Sequence, residues 1–411
     1  MKILQINQCH YRRGGADIVY LNTINLLRER GHHVSEFSTI NSLNENSSFE
    51  KYFVQNRDLR KDTLVNKIGS ILPYFYNKEA YQKLRLLITN QPPDVAHIHL
   101  FYGSLSVSVL NALKDSKIPI VHTVHDYRLL CPVHSLMDST NELCEECAKS
   151  SAISCIKKRC SDGKLTQSII VSFEALYWKK INNPVSEIDT FHFVSNFCKR
   201  KHLEYLPQIE DKSRVFYNYS PIKINYEHNL NMRYYLYYGR LSTEKGIKTL
   251  LQSWSHLPNR FKLKIVGTGY LADELIELSK ILRMNNIEFL GFKNGAELYN
   301  LIKGARFIIV PSEWYENNPM AIVESFSLGK PVIGTNIGGI TELINENETG
   351  FLCTPKSVEE LKGKIEYAES LSDSEYENIS NNCLEFAYRN FSEDQYYDKL
   401  ISMYEDTINN Q

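Results

Sequence analysis

The sequence has no apolar run of about 18 residues, the length that a membrane-spanning helix needs, and no basic-then-apolar leader precedes the first strand, predicted from Lys2 to Asn7. Its 47 basic and 48 acidic residues nearly cancel, which argues against nucleic acid as the main partner. No Asp-x-Asp pattern occurs, so carboxylates spaced to hold a divalent metal are not indicated. Nine cysteines in 411 residues are ordinary for a reduced protein. These absences favour a cytoplasmic location, with contact to the inner face of the cell membrane left open.

What the chain does contain is a regular alternation of short apolar runs and helical patterns. Such alternation predicts parallel sheets joined by crossover helices, an α/β fold. At 411 residues and 43% hydrophobic, the chain is long enough for two cores. The strand candidates are Ile3–Ile6, Val34–Phe37, Val95–Leu100, Ile118–Val124 and Phe191–Val194, and then Tyr234–Tyr238, Leu263–Val266, Ile287–Leu290, Phe307–Val310 and Val332–Thr335.

The domain boundaries follow from a change in composition. Residues 217–231 are polar and aperiodic and predict a linker. We therefore predict an N-terminal domain over residues 1–216, with a cysteine-rich insertion at 131–164, and a C-terminal domain over residues 232–390. Residues 391–411 form an amphipathic pattern with an apolar stripe at Tyr396, Tyr397, Leu400 and Tyr404.

The segment from Pro311 to Gly350 places two carboxylates around the start of one apolar helix. Asn318 is a good N-cap and Pro319 suits the first helical position, so the helix is predicted to begin there, with unpaired N–H groups that attract anions. Glu316 precedes the helix and Glu324 lies within it. Two acids so placed can bind different hydroxyl groups of one extended ligand, such as a sugar nucleotide. The alternative is a solvated loop acid and a core acid satisfied by a nearby arginine or by backbone.

A second loop carries two cations. Arg240 and Lys245 follow the strand Tyr234–Tyr238 and precede a helix that begins near Gly246. The end of a parallel strand is where open α/β sheets bind ligands, so both cations can neutralise a diphosphate. The alternative is ordinary surface charge.

Together these two segments resemble the donor-binding signature of retaining family-4 glycosyltransferases of the GT-B fold. Gly329-Lys330-Pro331-Val332, Gly338-Gly339 and Glu342 continue the match. The resemblance implies two facing Rossmann-like domains with parallel sheets, and a C-terminal helix that crosses back to the first domain. It also implies that Glu324 holds the donor ribose, that Glu316 contacts the transferred sugar, and that the leaving phosphate acts as base.

The resemblance extends to residues that carry little signal alone. Gly14-Gly15 and Gly267-x-Gly269 occur where the family places backbone N–H groups near the donor, and His125 where its first domain contacts the donor sugar. His97 and His99 alternate on a strand and are predicted to pack or to line the site. One departure is Asn317-Asn318-Pro319, where many members have a Gly-Phe-Gly-like run, so the sugar hydroxyls contacted there are not specified. Without a metal motif, Arg240, Lys245 and the helix start would stabilise the leaving diphosphate, and no catalytic cofactor is expected.

The cysteines form a separate pattern. Cys144, Cys147, Cys155 and Cys160 follow the spacing C-x2-C-x7-C-x4-C. Four thiolates in a short insertion predict a structural zinc site. Reduced free thiols or a labile disulfide are the alternatives, and Cys131 is either spare or a further ligand.

Residues 149–201 carry ten Lys or Arg and four Asp or Glu, interleaved with aromatic residues. This pattern suits contact with anionic lipid headgroups, and its alternative is a solvated helix face.

The sequence therefore predicts a metal-independent, retaining hexosyltransferase that uses a nucleotide-diphosphate sugar and a saccharide or lipid-linked acceptor, in bacterial surface polysaccharide or lipopolysaccharide synthesis. A phosphorylase or sugar-phosphate synthase of the same fold, or a sugar-nucleotide-binding protein without turnover, are the alternatives.

Overall fold

The computed structural model describes residues 1–57, 71–222 and 234–410, and the chain in it forms two compact units. The first unit comprises Met1–Val194, Cys198–Phe216 and Tyr397–Gln411, and the second comprises Ser195–Phe197 and Tyr217–Tyr396. Both units are α/β, as the alternation of patterns predicted. Most of the predicted linker, residues 223–231, lies outside the described residues.

The first unit is built on a six-stranded parallel sheet. Its strand order is β2-β1-β5-β6-β7-β8, and β3 and β4 form a separate parallel pair. The strands are β1 Lys2–Ile6, β2 His33–Phe37, β3 Thr39–Ile40, β4 Val54–Gln55, β5 Val95–Ile98, β6 Ile120–Val124, β7 Thr190–Phe193 and β8 Ser213–Val215.

The second unit contains another six-stranded parallel sheet, in the order β11-β10-β9-β12-β13-β14. The strand at its centre, β9, pairs with β10 on one side and with β12 on the other. The strands are β9 Tyr234–Tyr238, β10 Leu263–Val266, β11 Ile287–Phe289, β12 Ala305–Val310, β13 Val332–Thr335 and β14 Gly350–Cys353.

Helices connect the strands, as parallel sheets require. The last helix, α16, belongs to the first unit from Tyr397 onward. In chain order the helices are α1 Gly15–Glu29, α2 Lys78–Asn90, α3 Ser108–Asp115, α4 Glu146–Lys149, α5 Ile153–Lys158, α6 Leu165–Lys180, α7 Pro184–Glu187, α8 Asn196–Leu203, α9 Ile247–Ser255, α10 Ala272–Ile281, α11 Gly295–Gly304, α12 Met320–Ser327, α13 Ile340–Leu343, α14 Val358–Ser370, α15 Asp373–Asn390 and α16 Glu393–Asn409.

The sheet of the second unit has a hydrophobic core on each face. Successive side chains of a strand point to opposite faces, and accordingly Tyr235 and Tyr237 of β9 pack in the cluster around Trp254. Leu236, between them, packs with Val323 in the other cluster. Because both faces are covered, the strands are nearly continuous apolar runs, which is why most of them could be recognised from the sequence.

Two strands of the main sheets were missed, and both lie at sheet edges. β8 is three residues long with Arg214 at its centre, and β14 begins at Gly350. Short edge strands with a charged or glycine residue carry little apolar signal. Among the described residues, no helix is both long and apolar enough to cross a membrane.

The C-terminal helix packs as its apolar stripe predicted. Leu400, Met403 and Tyr404 of α16 are buried. Tyr404 reaches the first sheet, where its hydroxyl lies 2.6 Å from Nδ1 of His97. Tyr397 contacts His32 of the same unit, with 2.7 Å between its hydroxyl and Nε2.

Candidate functional site

The loops after β9 and β12 lie side by side in the second unit because these two strands are neighbours in the sheet. The N–H of Glu313 donates to the carbonyl of Glu244 at 2.8 Å. Gly246 has a φ of +67°, and a Cβ there would lie 1.9 Å from the carbonyl oxygen of Pro311. Only glycine allows the two loops to approach this closely, and the approach brings together the basic loop and the acidic loop predicted from the sequence.

Lys245 and Glu316 meet where these loops join. Lys245 Nζ lies 2.6 Å from Oε1 of Glu316, and the Ser312 hydroxyl donates to the same oxygen at 2.7 Å. The ammonium also lies 5.2 Å from the centre of the Trp314 ring. The Glu316 side chain is 7% exposed and that of Lys245 is 21% exposed.

The Glu316 carboxylate is charged although it is buried. Burial acts to raise its pKa, but the charge of Lys245 and hydrogen bonds from Lys245 and Ser312 outweigh it, so the pKa lies below its ordinary value of 4.5. Sequence reasoning named Lys245 and Glu316 separately and did not name Ser312 or Trp314. Ser312 and Trp314 could have been recognised as candidates because they lie in the loop between the end of β12 and Glu316.

Arg240 differs from Lys245 in its exposure. Its side chain is 56% exposed, and Nη1 lies 3.8 Å from Oε1 of Glu244. Its backbone is held by the Tyr237 hydroxyl, which donates to the Arg240 carbonyl at 2.7 Å. The guanidinium is therefore carried on a fixed backbone and is accessible to an anion.

The predicted start of the helix that carries Glu324 is wrong by one residue. Helix α12 begins at Met320, and Pro319, with an extended ψ of 117°, is its N-cap. Asn318 does not cap the helix, because its Oδ1 accepts a hydrogen bond from the N–H of Asn218 at 3.0 Å. Asn317 and Asn318 are buried beside the helix start, and Pro319 is partly buried.

Glu324 is buried on α12 and faces the end of β9. Burial and then the charge of Glu324 raise the pKa of the Tyr238 hydroxyl, which also hydrogen-bonds Glu324. The same hydroxyl lies 2.7 Å from the carbonyl oxygen of Ala321, so the carbonyl and the carboxylate share its one proton. A buried acid without a partner would be costly, and Tyr238 supplies one. The role of Glu324 toward a ribose stays a prediction.

The glycines of the second unit serve close backbone packing. A Cβ on Gly267 would lie 1.8 Å from the Gly239 carbonyl oxygen, and one on Gly269 would lie 2.1 Å from that of Leu241. The N–H of Gly267 donates to the carbonyl of Gly291 at 2.8 Å, so it is already used inside the protein. Steric need accounts for both glycines, and their contact with a donor stays a prediction.

Gly338 and Gly339 pack against the segment that carries Glu316. A Cβ on Gly339 would lie 1.8 Å from the carbonyl oxygen of Asn317, and one on Gly338 would lie 2.5 Å from that of Glu316. The N–H of Gly339 also donates to the Glu316 carbonyl. These two glycines therefore fix the backbone position of Glu316.

In the first unit, Gly14 and Gly15 form the start of a long helix. Gly14 is the N-cap of α1 and Gly15 its first residue, with no side chain capping the end. Asp17 lies in the first turn, where its Oδ1 accepts from Nδ2 of Asn7 at 2.9 Å. The site predicted at these glycines is thus a helix N-terminus, which favours anions.

His125 directly follows β6 in the first unit and is partly buried. Its Nε2 lies 2.9 Å from Nδ1 of His99, and the two rings stack with their centres 5.1 Å apart. Burial, followed by the charges of His122 and His192, lowers the pKa of His125 to about 3. The imidazole is therefore neutral near pH 7.

The predicted zinc ligands are only partly brought together. The thiols of Cys155 and Cys160 hydrogen-bond, which lowers the pKa of Cys155 to about 7 and raises that of Cys160, while Cys144 Sγ lies 3.5 Å from Nζ of Lys158. Over residues 1–57, 71–222 and 234–410, no three His, Cys, Asp or Glu side chains are arranged as metal ligands. The tetrahedral set of Cys144, Cys147, Cys155 and Cys160 is thus not assembled, and zinc binding stays a prediction from the spacing.

Two family models match this chain. The model described as Glycosyltransferase Family 4 matches residues 13–219, about half of the chain, and the model described as Glycosyl transferases group 1 matches residues 220–385. The chain therefore belongs to the family-4 glycosyltransferases, and the resemblance inferred from the acidic and basic loops is confirmed.

Curated relatives are similar over different lengths. An uncharacterized glycosyltransferase of Methanocaldococcus jannaschii is 30% identical over 230 residues, 51% of this chain and 58% of that protein. An uncharacterized 42.6 kDa protein in the cps region of Klebsiella pneumoniae is 25% identical over 84% of this chain and 87% of its own length. The O-antigen chain mannosyltransferase B of Escherichia coli is 24% identical over 66% of this chain and 69% of its own length.

Solved structures share the fold along the whole chain. A glycosyltransferase from Rickettsia africae superposes with a TM-score of 0.69 at 22% identity, covering 100% of this chain and 99% of that one. Anabaena HepE in complex with UDP-glucose superposes with a TM-score of 0.65 at 17% identity, again covering 100% and 99%. These likenesses confirm the GT-B fold class.

The Lys245–Glu316 pair generates a stability prediction. Lys245→Met leaves a buried carboxylate without its cation, and we expect it to lower the free energy of unfolding by about 2 to 4 kcal/mol, with part of the loss recovered in Lys245→Met/Glu316→Gln. The wild-type pair stabilises the fold above the unfolded pKa of Glu316, and its contribution is lost as pH falls through the lower folded pKa. In Lys245→Met only hydrogen bonds such as that from Ser312 still oppose burial, so we expect the folded pKa of Glu316 to rise above the unfolded value and stability to increase as pH falls.

Urea midpoints measured from about pH 3 to about pH 8, a range that extends to both sides of the ordinary glutamate pKa of about 4.3, test this sign reversal. Lys248→Met is the matched control, since Lys248 pairs with Glu274 at 2.5 Å on the surface, with side chains 43% and 56% exposed. Its effect should stay below about 0.5 kcal/mol. Equal midpoints for Lys245→Met and Lys248→Met would contradict a stabilising buried pair.

The cysteine spacing generates the second prediction. If the cluster binds zinc, protein purified without chelator should contain about one zinc ion per chain, and Cys147→Ser should lose the metal and lower the thermal midpoint. Elemental analysis and thermal unfolding of both proteins measure this. Metal-free protein with an unchanged midpoint in Cys147→Ser would leave the cysteines as reduced thiols.

Proposed function

We propose that this family-4 glycosyltransferase moves a hexose-type sugar from a nucleotide-diphosphate donor to a saccharide or lipid-linked saccharide acceptor, with retention and without a metal. In this proposal the donor binds the domain at residues 232–390, and the acceptor binds the domain at residues 1–216. The observation that carries it is the buried Lys245–Glu316 pair between the loops after β9 and β12. A charged pair held at the carboxyl end of a parallel sheet suits a polar, anionic ligand.

The cations are assigned to the leaving diphosphate. The guanidinium of Arg240 is accessible, and the ammonium of Lys245 is held by Glu316 and by the Trp314 ring. Preorganised cations stabilise charge that develops on a leaving phosphate without reorganising during the reaction. Glu316 then has two uses, because it orients Lys245 through one oxygen and offers its carboxylate to a hydroxyl of the transferred sugar.

Glu324 is assigned to the ribose of the donor. It lies on α12, which begins at Met320 with Pro319 as its N-cap, and Tyr238 hydrogen-bonds its carboxylate. A carboxylate accepts hydrogen bonds from two neighbouring hydroxyls, as a ribose presents them. His125 is assigned to the donor sugar from the first domain, as a neutral hydrogen-bonding group.

The relatives support the class of substrate and the pathway. HepE was crystallised with UDP-glucose, and the Escherichia coli relative is an O-antigen chain mannosyltransferase. The Klebsiella pneumoniae relative lies in a cps region. We therefore propose bacterial surface polysaccharide or lipopolysaccharide synthesis as the pathway.

We place the enzyme in the cytoplasm, with a peripheral contact to the inner face of the membrane. Helix α6 ends in Lys179 and Lys180, and the apolar side chains of Phe173 and Ile181 are 53% and 69% exposed. Cations beside exposed apolar groups suit a surface of anionic lipids. Co-sedimentation with vesicles of anionic and of neutral lipid measures this contact, and equal binding to both would argue against it.

The donor assignment is tested by binding and turnover of UDP- and GDP-sugars. We expect Glu324→Gln to weaken nucleoside diphosphate binding about tenfold or more, because the amide loses charge-assisted bonds, while turnover persists at saturating donor. Arg240→Ala should lower kcat by about 10² or more with little change in thermal midpoint. Glu348→Gln, on an exposed loop of the same unit, is the matched control and should change neither.

The same assay separates the alternative functions. Release of nucleoside diphosphate that depends on acceptor supports transfer, whereas dependence on free phosphate indicates a phosphorylase. Binding without release indicates a sugar-nucleotide-binding protein. Activity in excess chelator tests metal independence, and loss of activity there with an intact fold would contradict it.

A further inference from the structure

A layer of polar side chains lies on one face of the first sheet, beneath the C-terminal helix. Gln5 of β1 is opposite His97 of β5, and Thr123 of β6 is opposite His192 of β7. His99 lies two residues beyond His97 and so shares its face. All five side chains are fully or almost fully buried, and so is Tyr404 of α16, which contacts the layer.

The first half of this layer is a chain of hydrogen bonds that starts at a backbone carbonyl. Nε2 of His192 lies 2.9 Å from the carbonyl oxygen of Phe216. Nδ1 of His192 lies 2.9 Å from the Thr123 hydroxyl. That hydroxyl lies 2.6 Å from Nε2 of His97.

The second half continues from His97 to His125. Nδ1 of His97 lies 2.6 Å from the Tyr404 hydroxyl, which accepts from Nε2 of Gln5 at 3.2 Å. Oε1 of Gln5 lies 3.2 Å from Nε2 of His99. Nδ1 of His99 lies 2.9 Å from Nε2 of His125, so an unbroken chain joins the Phe216 carbonyl to His125.

The imidazoles in this chain are neutral. Burial lowers the pKa of His192 to about 4 and that of His125 to about 3, and it holds those of His97 and His99 well below the ordinary value of 6.5. A neutral imidazole has one N–H donor and one acceptor nitrogen. Each ring must therefore donate on one side of the chain and accept on the other.

The carbonyl at the start fixes the direction of every link. A carbonyl only accepts, so His192 donates from Nε2 and accepts at Nδ1 from the Thr123 hydroxyl. Thr123 has then used its proton and accepts from Nε2 of His97, whose Nδ1 accepts from Tyr404.

Beyond Tyr404 the same rule applies. Tyr404 has used its proton on His97, so it accepts from the amide nitrogen of Gln5, and the amide oxygen of Gln5 must face His99. His99 therefore donates from Nε2 and accepts at Nδ1. Its donor is His125, which carries its proton on Nε2.

We propose that Gln5, His97, His99, Thr123 and Tyr404 are positioning residues that fix His125 as its Nε2–H tautomer, with Nδ1 as the acceptor nitrogen. Any substrate hydroxyl that His125 meets through Nδ1 must then donate its proton. The chain also couples His125 to α16 through Tyr404. The catalytic consequence rests on the proposed contact of His125 with the donor sugar, whereas the tautomer itself does not.

The tautomer can be measured directly on the full-length protein. Histidine-selective ¹⁵N labelling gives ring-nitrogen shifts and two-bond couplings that distinguish Nε2–H from Nδ1–H. The His125 signals are assigned by their absence in His125→Gln. We expect Nε2–H in the wild type, and Nδ1–H there would overturn the proposal.

Thr123→Val is the sharpest variant because it removes the hydroxyl that receives the proton of His97. An unsatisfied buried N–H is costly, so His97 should protonate at Nδ1 and donate to Tyr404. Tyr404 then donates to a reoriented Gln5 amide, His99 donates from Nδ1, and His125 shifts toward Nδ1–H. The substitution thus acts on His125 through the chain.

Two further variants separate this effect from general destabilisation. Gln5→Met removes the acceptor for His99 and should shift His125 in the same direction. Thr190→Val is the matched control, since the Thr190 hydroxyl bonds Thr407 of α16 at 2.8 Å outside the chain, and it should leave the tautomer unchanged. If Thr123→Val and Gln5→Met fold and the ¹⁵N chemical shifts of their His125 ring nitrogens equal those of the wild type, the proposal is overturned.

Kinetics link the tautomer to the reaction. We expect Thr123→Val and Gln5→Met to lower kcat about tenfold, with KM for the donor changing less than about twofold, and Thr190→Val to do neither. Wild-type turnover in His125→Gln would contradict the proposed contact of His125 with the donor sugar. The ¹⁵N measurements would still decide which tautomer His125 adopts. Tautomer reversal without loss of kcat would overturn the positioning role.

Discussion

The buried ion pair between Lys245 and Glu316 is the interaction on which the rest of the second unit's site depends. A carboxylate this well buried is stable only beside its cation, so the loops after β9 and β12 must lie within a side chain's reach. Gly246 lets the basic loop approach the acidic one, while Gly338 and Gly339 let the next loop pack behind Glu316. The glycines of the sequence signature are therefore requirements of the pair's geometry, whatever further contacts their N–H groups make with a ligand.

The layer of histidines in the first unit buries polar groups without charge, although the same unit also buries the ion pair Arg128–Glu174. This layer lies between a sheet and a helix, where the rings hydrogen-bond the hydroxyls of Thr123 and Tyr404 and the amide of Gln5. Burial keeps the rings neutral, and a neutral ring is satisfied by one donor and one acceptor. The result is a chain of hydrogen bonds in which each donor is fixed, beginning with His192, which donates to the Phe216 carbonyl. The side-chain amide of Gln5 can take only one orientation within this chain.

Much of the fold was predictable because strands buried on both faces are apolar throughout, as Ile3–Ile6 and Phe307–Val310 show. The positions of the acidic and basic loops after strands were predictable, but the contact between Lys245 and Glu316 was not, because it requires β9 and β12 to be neighbours in the sheet. The start of α12 was missed because the side chain of Asn318 bonds Asn218, a contact between residues 100 apart in sequence. The histidine chain was missed for the same reason, since Tyr404 lies 307 residues from His97. Local patterns cannot specify such partners.

The two ways of burying polar groups respond differently to pH. The ion pair weakens only as pH falls through the lowered pKa of Glu316. The histidines are already neutral, with pKa values for His125 and His192 of about 3 and 4. Neither group titrates between about pH 5 and 8, the range in which an ordinary histidine does. Asp126, whose pKa burial raises to about 6, does titrate there, and it adjoins His125. Burial also raises the pKa of Glu174, in the same unit, to about 7. A protein-derived change of activity in that range would therefore point to these two carboxyl groups before the histidines of the hydrogen-bond chain.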